Sequence, residues 1–193
     1  MRRALGWMVA TVVVGCAKPA AVFGPPVLSH PDLVCPTGAF LTGAVPPQGN
    51  EAWCARLLPS GATVREGPSV RWHANGTHRA EGAYVEDEPT GPWLYWYPND
   101  VPRMAGSFQG GVRAGVWRTF HAGGEPASQG AYVDGKEHGP WVFWSIDPPV
   151  RAEGEYVLGD REGVWRDIGR DDAVFRERRY RGGRMISVRE LDQ

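Results

Sequence analysis

The chain has 193 residues, 42% hydrophobic and 22% charged, with a formal net charge of −1. That charge excludes a dedicated nucleic-acid binder, which carries a strong basic excess. Its 26 Gly and 17 Pro punctuate the sequence into short apolar segments, which favours strands over long helices.

Met1-Arg2-Arg3 is followed by an apolar run from Ala4 to Gly15, too short to span a bilayer as a mature helix and laid out like a secretory leader. The run ends in Val13-Val14-Gly15-Cys16, which resembles the bacterial lipobox. The resemblance implies cleavage after residue 15 and acylation of Cys16, several acyl chains giving stable membrane anchoring where one is marginal. Loss of Arg2 and Arg3 takes the mature net charge to about −3, from 21 basic and 22 acidic residues. The predicted location is the bacterial cell envelope, on the periplasmic or surface face of the outer membrane. Residues 16–34, proline-rich and without periodicity, read as a semi-rigid tether.

Cys35 and Cys54 remain. An exported chain meets an oxidising compartment, so the two are expected to pair. A metal site is the rival, and two cysteines without nearby histidines serve it poorly. Pro46-Pro47-Gln48-Gly49 between them is a turn signal, so 35–66 reads as a disulfide-bonded hairpin cap over the otherwise naked strand that begins at residue 67.

From Gly67 to Ile186 one 24-residue unit is written five times, and such a period marks a stacked array. The unit-defining positions are Gly91, Gly115, Gly139 and Gly163, each followed two residues later by Trp93, Trp117, Trp141 and Trp165. Gly82, Gly106, Gly130 and Gly154 form a second glycine column, with Tyr84, Phe108, Tyr132, Tyr156 and Tyr180 beside it. A further column reads Trp72, Trp96, Phe120, Trp144, Ile168. Val116–His121 and Pro126–Val133 read as the two strands of a unit, with turns at 122–125 and 134–138. Five units then give about ten antiparallel strands over roughly 45–50 Å at the usual inter-strand spacing. No helical segment is available to cover the sheet, so the aromatic columns must cover it, each glycine leaving room for a neighbouring ring. Ser69 and Arg178 replace the expected Trp and Gly in the end units, as capping of an array requires. Residues 187–193 read as a tail.

The runs from Gly130 to Trp141 and from Gly154 through Gly159, Gly163 and Trp165 resemble MORN repeats, in particular the bacterial variants grouped with toxin–antitoxin antitoxins. The resemblance covers about 120 residues. It implies an all-β, single-layer, antiparallel hairpin-repeat array used for protein–protein or lipid contact, and it raises a toxin-neutralising role.

For chemistry the sequence offers little. Trp96, Tyr97 and Trp144 are candidates for a contact surface that stacks on sugars, such as those of peptidoglycan, or holds a peptide. His73 and His121 share one phase but lie two units apart, about 19 Å by strand spacing, too far to share a metal. No calcium loop, nucleophile elbow, phosphate loop or zinc-protease helix is present. Seven arginines against four acids from Arg170 to Glu190 mark either an anion-binding patch or charge that keeps the last strands from edge association. The expectation is a non-catalytic envelope lipoprotein with no cofactor or metal, whose array binds a protein partner, with a carbohydrate or peptidoglycan binder and a toxin-neutralising protein as alternatives.

Overall fold

A computed structural model describes residues 33–191. The leader, Cys16 and all but the last two tether residues lie outside them. Among the described residues there is no helix. Strands β1 (Ala39–Ala44) and β2 (Glu51–Leu57) form the cap, and β3 (Thr63–Trp72) leads into the array. The array continues through β4 (His78–Val85), β5 (Glu88–Trp96), β6 (Pro102–Gln109), β7 (Val112–Phe120) and β8 (Pro126–Val133). It ends with β9 (Lys136–Trp144), β10 (Arg151–Val157), β11 (Asp160–Ile168), β12 (Val174–Arg181) and β13 (Arg184–Glu190).

All thirteen strands lie in one antiparallel sheet in strict chain order, with β1 and β13 at opposite edges. The sheet is open, and among the described residues no second layer covers it. This is the single-layer hairpin array expected from the 24-residue period, lengthened by the cap strands and β13.

The two ends of the hairpins turn differently. At one end two-residue turns carry positive φ at both positions: Glu86-Asp87, Gly110-Gly111, Asp134-Gly135, Leu158-Gly159 and Gly182-Gly183. That is the type I′ pattern, whose twist matches the flanking strands. At the other end a three-residue loop closes four of the hairpins, as where His73 N–H donates to Thr77 O and Gly76 N–H to His73 O. Gly76, Asp100, Gly124 and Asp172 take the left-handed position in those loops. The loop at Asp147-Pro148 spans one residue more, from Ser145 to Val150. The register shift that β4, β6, β8 and β12 each need beside their loop is absent between β9 and β10.

Three local expectations need correction. Lys136, Glu137 and His138 belong to β9 rather than to a turn, because two residues suffice to reverse the chain. Residues 187–190 are not tail but the second half of β13. Leu33 is not tether: it is buried with Ala52, Val70 and Trp72, since an apolar side chain next to the cap finds a pocket there.

The cap disulfide is formed, Cys35 to Cys54, with sulfurs 2.05 Å apart. Its place in the sheet follows the repeat. Trp53 pairs with Ser69 as Gly130 pairs with Trp141, so Trp53 takes the glycine position and Cys54, the next residue, points to the other face. Ser69 stands in the tryptophan position, and both Cys54 and Ser69 are buried. The cap hairpin is therefore a degenerate unit in which ring and small residue change places, Trp53 supplying the ring that Arg65 covers and Ser69 the small residue.

Candidate functional site

The site is built from one irregularity repeated along the sheet. In β5 three residues, Gly91-Pro92-Trp93, oppose the single Gly82 of β4. The same imbalance sets Gly115–Trp117 against Gly106, Gly139–Trp141 against Gly130 and Gly163–Trp165 against Gly154. The opening glycines carry the bulge at φ between 62 and 74°, a left-handed conformation that costs a residue with a Cβ about 1–2 kcal/mol. Each indole then lies flat on the glycine of the preceding strand. A Cβ built on Gly82, Gly106, Gly130 or Gly154 would fall closer than 3.0 Å to the ring carbons of Trp93, Trp117, Trp141 or Trp165. Each indole N–H donates to the carbonyl of the residue after that glycine: Ala83, Ser107, Ala131 and Glu155, at 3.0–3.3 Å. A buried indole is thereby satisfied at its polar end.

The Tyr/Phe column fills the gaps between the indoles. From Tyr84 through Trp93, Phe108, Trp117, Tyr132, Trp141, Tyr156 and Trp165 to Tyr180, successive rings meet edge-to-face with centroids 5.0–6.3 Å apart. Such pairs contribute about 0.5–1.5 kcal/mol each beyond area burial. The ladder serves as the core of a sheet that has no second layer among the described residues.

What lies on top of the indoles alternates. Tyr95 stacks on Trp93 at 5.7 Å and Phe143 on Trp141 at 5.6 Å. In the intervening units a guanidinium takes that place: Arg113 over Trp117 and Arg161 over Trp165, both at 4.4 Å. Arg113 also donates to Tyr132 Oη at 2.9 Å, and Arg161 to Tyr156 Oη and Tyr180 Oη. Burial pushes the Tyr95 and Tyr132 phenols above their ordinary value. Burial works against the Arg161 charge, but the Tyr156 and Tyr180 hydroxyls more than offset it and its pKa moves up.

Ion pairs neutralise the two ends of this face. Arg65 and Arg71 share Glu51, and Arg176 and Arg178 share the buried Asp167. Between them, Arg103, Arg113 and Arg161 have no carboxylate within ion-pair distance among the described residues. Arg103 lies over the Tyr95 ring at 5.8 Å.

The residues singled out for a contact surface lie elsewhere. By strand alternation Trp96 and Trp144 point to the face opposite Trp93 and Trp141. The Trp96 ring packs against His78 at 5.8 Å, and both tryptophans are half-buried. Their carbonyls accept from His73 Nε2 (3.0 Å) and His121 Nε2 (2.8 Å), so each imidazole carries its proton on Nε2. Tyr97 donates its hydroxyl to Phe120 O at 2.9 Å. His73, Tyr97 and His121 thus form a column of staples, each tying one unit to the next at the loop end. Trp96 and Trp144 share a face and a phase two units apart; Tyr97 works as a staple.

The alternating cover was missed by the 24-residue reading, yet the sequence carries its signal. Gly91-Pro92-Trp93-Leu94-Tyr95-Trp96 matches Gly139-Pro140-Trp141-Val142-Phe143-Trp144. Gly115-Val116-Trp117-Arg118-Thr119-Phe120 matches Gly163-Val164-Trp165-Arg166-Asp167-Ile168. Arg65, Arg113 and Arg161 also recur at 48-residue spacing. The true period is two units.

Among the described residues no group of three or more His, Cys, Asp or Glu side chains is placed to hold a metal ion. No known family model matches this sequence, and no curated protein matches it either.

Proposed function

We propose that the protein is an exported lipoprotein, anchored to the cell-envelope membrane through Cys16, that acts as a non-catalytic scaffold for a protein partner. The observation that carries this reading is the Cys35–Cys54 bond. A disulfide of this kind persists outside the reducing cytoplasm, in keeping with the leader-like run before Cys16. An open sheet with both faces toward solvent suits contact over an extended surface better than enclosure of a small substrate. The resemblance to MORN repeats supports the same use.

The test is metabolic labelling with an alkyne fatty acid, combined with crosslinking in intact cells and mass spectrometry. The expected result is label on the wild-type chain, none on Cys16→Ser, and one recurring crosslinked envelope protein. A chain that takes no label, or whose crosslinks do not exceed those of an unrelated lipoprotein, ends the proposal.

A further inference from the structure

The indole ladder occupies one face of the sheet, and the other face divides into two halves. Five valines of β4–β10 are exposed at 43–51%: Val85, Val112, Val116, Val133 and Val157. Each adjoins a residue of the indole face (Tyr84, Arg113, Trp117, Tyr132 and Tyr156), so by strand alternation all five point away from it. Pro92 and Pro140, beside Trp93 and Trp141, are exposed there too. From β10 onward the same face turns charged, with Glu155, Glu162, Arg166, Glu177 and Arg179. Over β5–β9 its exposed charges are Glu88, Arg118 and Lys136. An apolar patch of this extent, confined to one half of a face, marks an interaction surface.

We propose that the protein pairs with a second copy of itself through this surface, the apolar halves of two sheets packed face to face. The area suffices. Strands β4–β10 span about 29 Å across, and the nine-residue strands β5, β7 and β9 run about 26 Å. That is up to roughly 750 Å² per copy, and twice that lies within the roughly 1,200–2,000 Å² that stable interfaces bury. Sheets packed in this way lie about 10 Å apart, with strands within about 30° of one another. The two-unit period supplies the symmetry. On this face β5 and β9 carry matching residues: Pro92 and Pro140, Leu94 and Val142, Trp96 and Trp144. A two-fold axis along β7 sets β5 of one copy over β9 of the other and brings Val112 and Val116 onto their own counterparts. Where β5 and β9 differ in charge on this face, the difference is Glu88 against Lys136, so across the axis each meets its opposite. Both are exposed at the tight-turn end, and neither has an ion-pair partner among the described residues. An anionic lipid surface, by contrast, would repel Glu88. Arg118 is the one charge that meets its own counterpart and opposes pairing; Gln129 Oε1 holds it to one side at 3.1 Å. The pairing does not rest on the anchored-scaffold reading.

The experiment is sedimentation velocity of the full chain carrying Cys16→Ser, so that neither acyl chains nor a free thiol contribute to association. A concentration-dependent dimer is expected, and Val116→Asp should make it monomeric. Glu88→Lys or Lys136→Glu alone should weaken pairing about tenfold. The two together in one chain should restore it to within about threefold. Arg118→Leu should tighten it several-fold, and Arg103→Gln, on the indole face, should leave it within about twofold. Thermal melts show which variants fold; if Val116→Asp does not, the charge reversals, at exposed strand ends, carry the test. A chain that stays monomeric up to its solubility limit, or a dimer that Val116→Asp leaves intact, overturns the proposal. So do single reversals without effect, or losses that the double reversal does not rescue. A monomer that floats with phosphatidylcholine vesicles, and no longer does so as Val116→Asp, overturns it too, since lipid then covers the face.

Discussion

Gly130→Ala tests the contact on which the sheet depends. The added methyl would fall inside the van der Waals envelope of Trp141, closer than 3.0 Å to Cγ, Cδ2 and Cε2. The glycine sits on backbone that cannot retreat without breaking pairing on both sides, so the indole must lift. Trp141 is 4% exposed. An indole of this kind buries roughly 200 Å², which at about 25 cal/mol per Å² is an upper bound near 5 kcal/mol. Partial lifting forfeits about half of that, and the lost N–H bond to Ala131 O adds about 1 kcal/mol. The expected cost is therefore about 3–4 kcal/mol. Gly139→Ala is the control. Nothing lies within 4 Å of its would-be Cβ, so it bears only left-handed strain, about 1–2 kcal/mol, partly offset by a stiffer unfolded chain. Urea titration followed by tryptophan fluorescence gives both values. A double-mutant cycle isolates the cause: in a Trp141→Ala background, Gly130→Ala should cost less than about 1 kcal/mol, since the ring it strikes is gone. The reasoning is refuted if Gly130→Ala is no worse than Gly139→Ala, or if its cost is unchanged without the indole.

Other expectations rest on single contacts. Reducing Cys35–Cys54, which closes a 19-residue separation, should destabilise the cap by about 3 kcal/mol on the chain-entropy account. Amide exchange should then rise first in β1 and β2 and leave β9 unaffected. Asp167→Ala removes the acid shared by Arg176 and Arg178 and leaves the half-buried Arg178 unpaired, so a loss of about 2–4 kcal/mol is expected by thermal melt. Substituting Arg178 with Ala as well should recover part of it. Tyr97→Phe removes one hydroxyl bond to Phe120 O and should cost about 1 kcal/mol, while Tyr97→Ala, losing the ring too, should cost more. Tyr95 and Tyr132 have pKa values above the ordinary 10.0 because burial disfavours the phenolate. The unfolded chain therefore releases these protons first as pH rises, and stability falls above about pH 10. Spectrophotometric titration should show late-ionising tyrosines, and Tyr132→Phe should flatten that alkaline loss.

The fold was legible because a 24-residue period with fixed Gly and Trp positions constrains the backbone more strongly than any local propensity. Gly130 before Tyr132 announced a ring overhead, and the cysteines announced the cap. Strand ends were less legible. Asp134-Gly135 reverses the chain alone, so Lys136–His138 extend β9, but polar residues there look the same in a turn or at a strand end. Asn75-Gly76 carries a strong short-turn signature, yet only Gly76 is left-handed, because the loop adds a residue in type I geometry. The cover over the indoles was the least legible. Trp96 and Trp144 drew notice as large aromatics, whereas Arg113 and Arg161 matter through what lies beneath them. No single-residue signal shows that an indole is covered by a guanidinium rather than a ring.

The two-unit period separates what the array needs from what it is free to vary. Every full unit keeps its glycine and indole, since losing either opens a hole in a sheet with no second layer to fill it. The group above the indole is under no such demand: a phenol, a phenyl or a guanidinium each excludes water from one ring face, and a cation over tryptophan contributes about as much as a stacked ring. Stability alone would accept any order of these covers. The sequence instead alternates them, ring then cation, over four consecutive units, with Glu137 between the two arginines accepting from Tyr132 Oη.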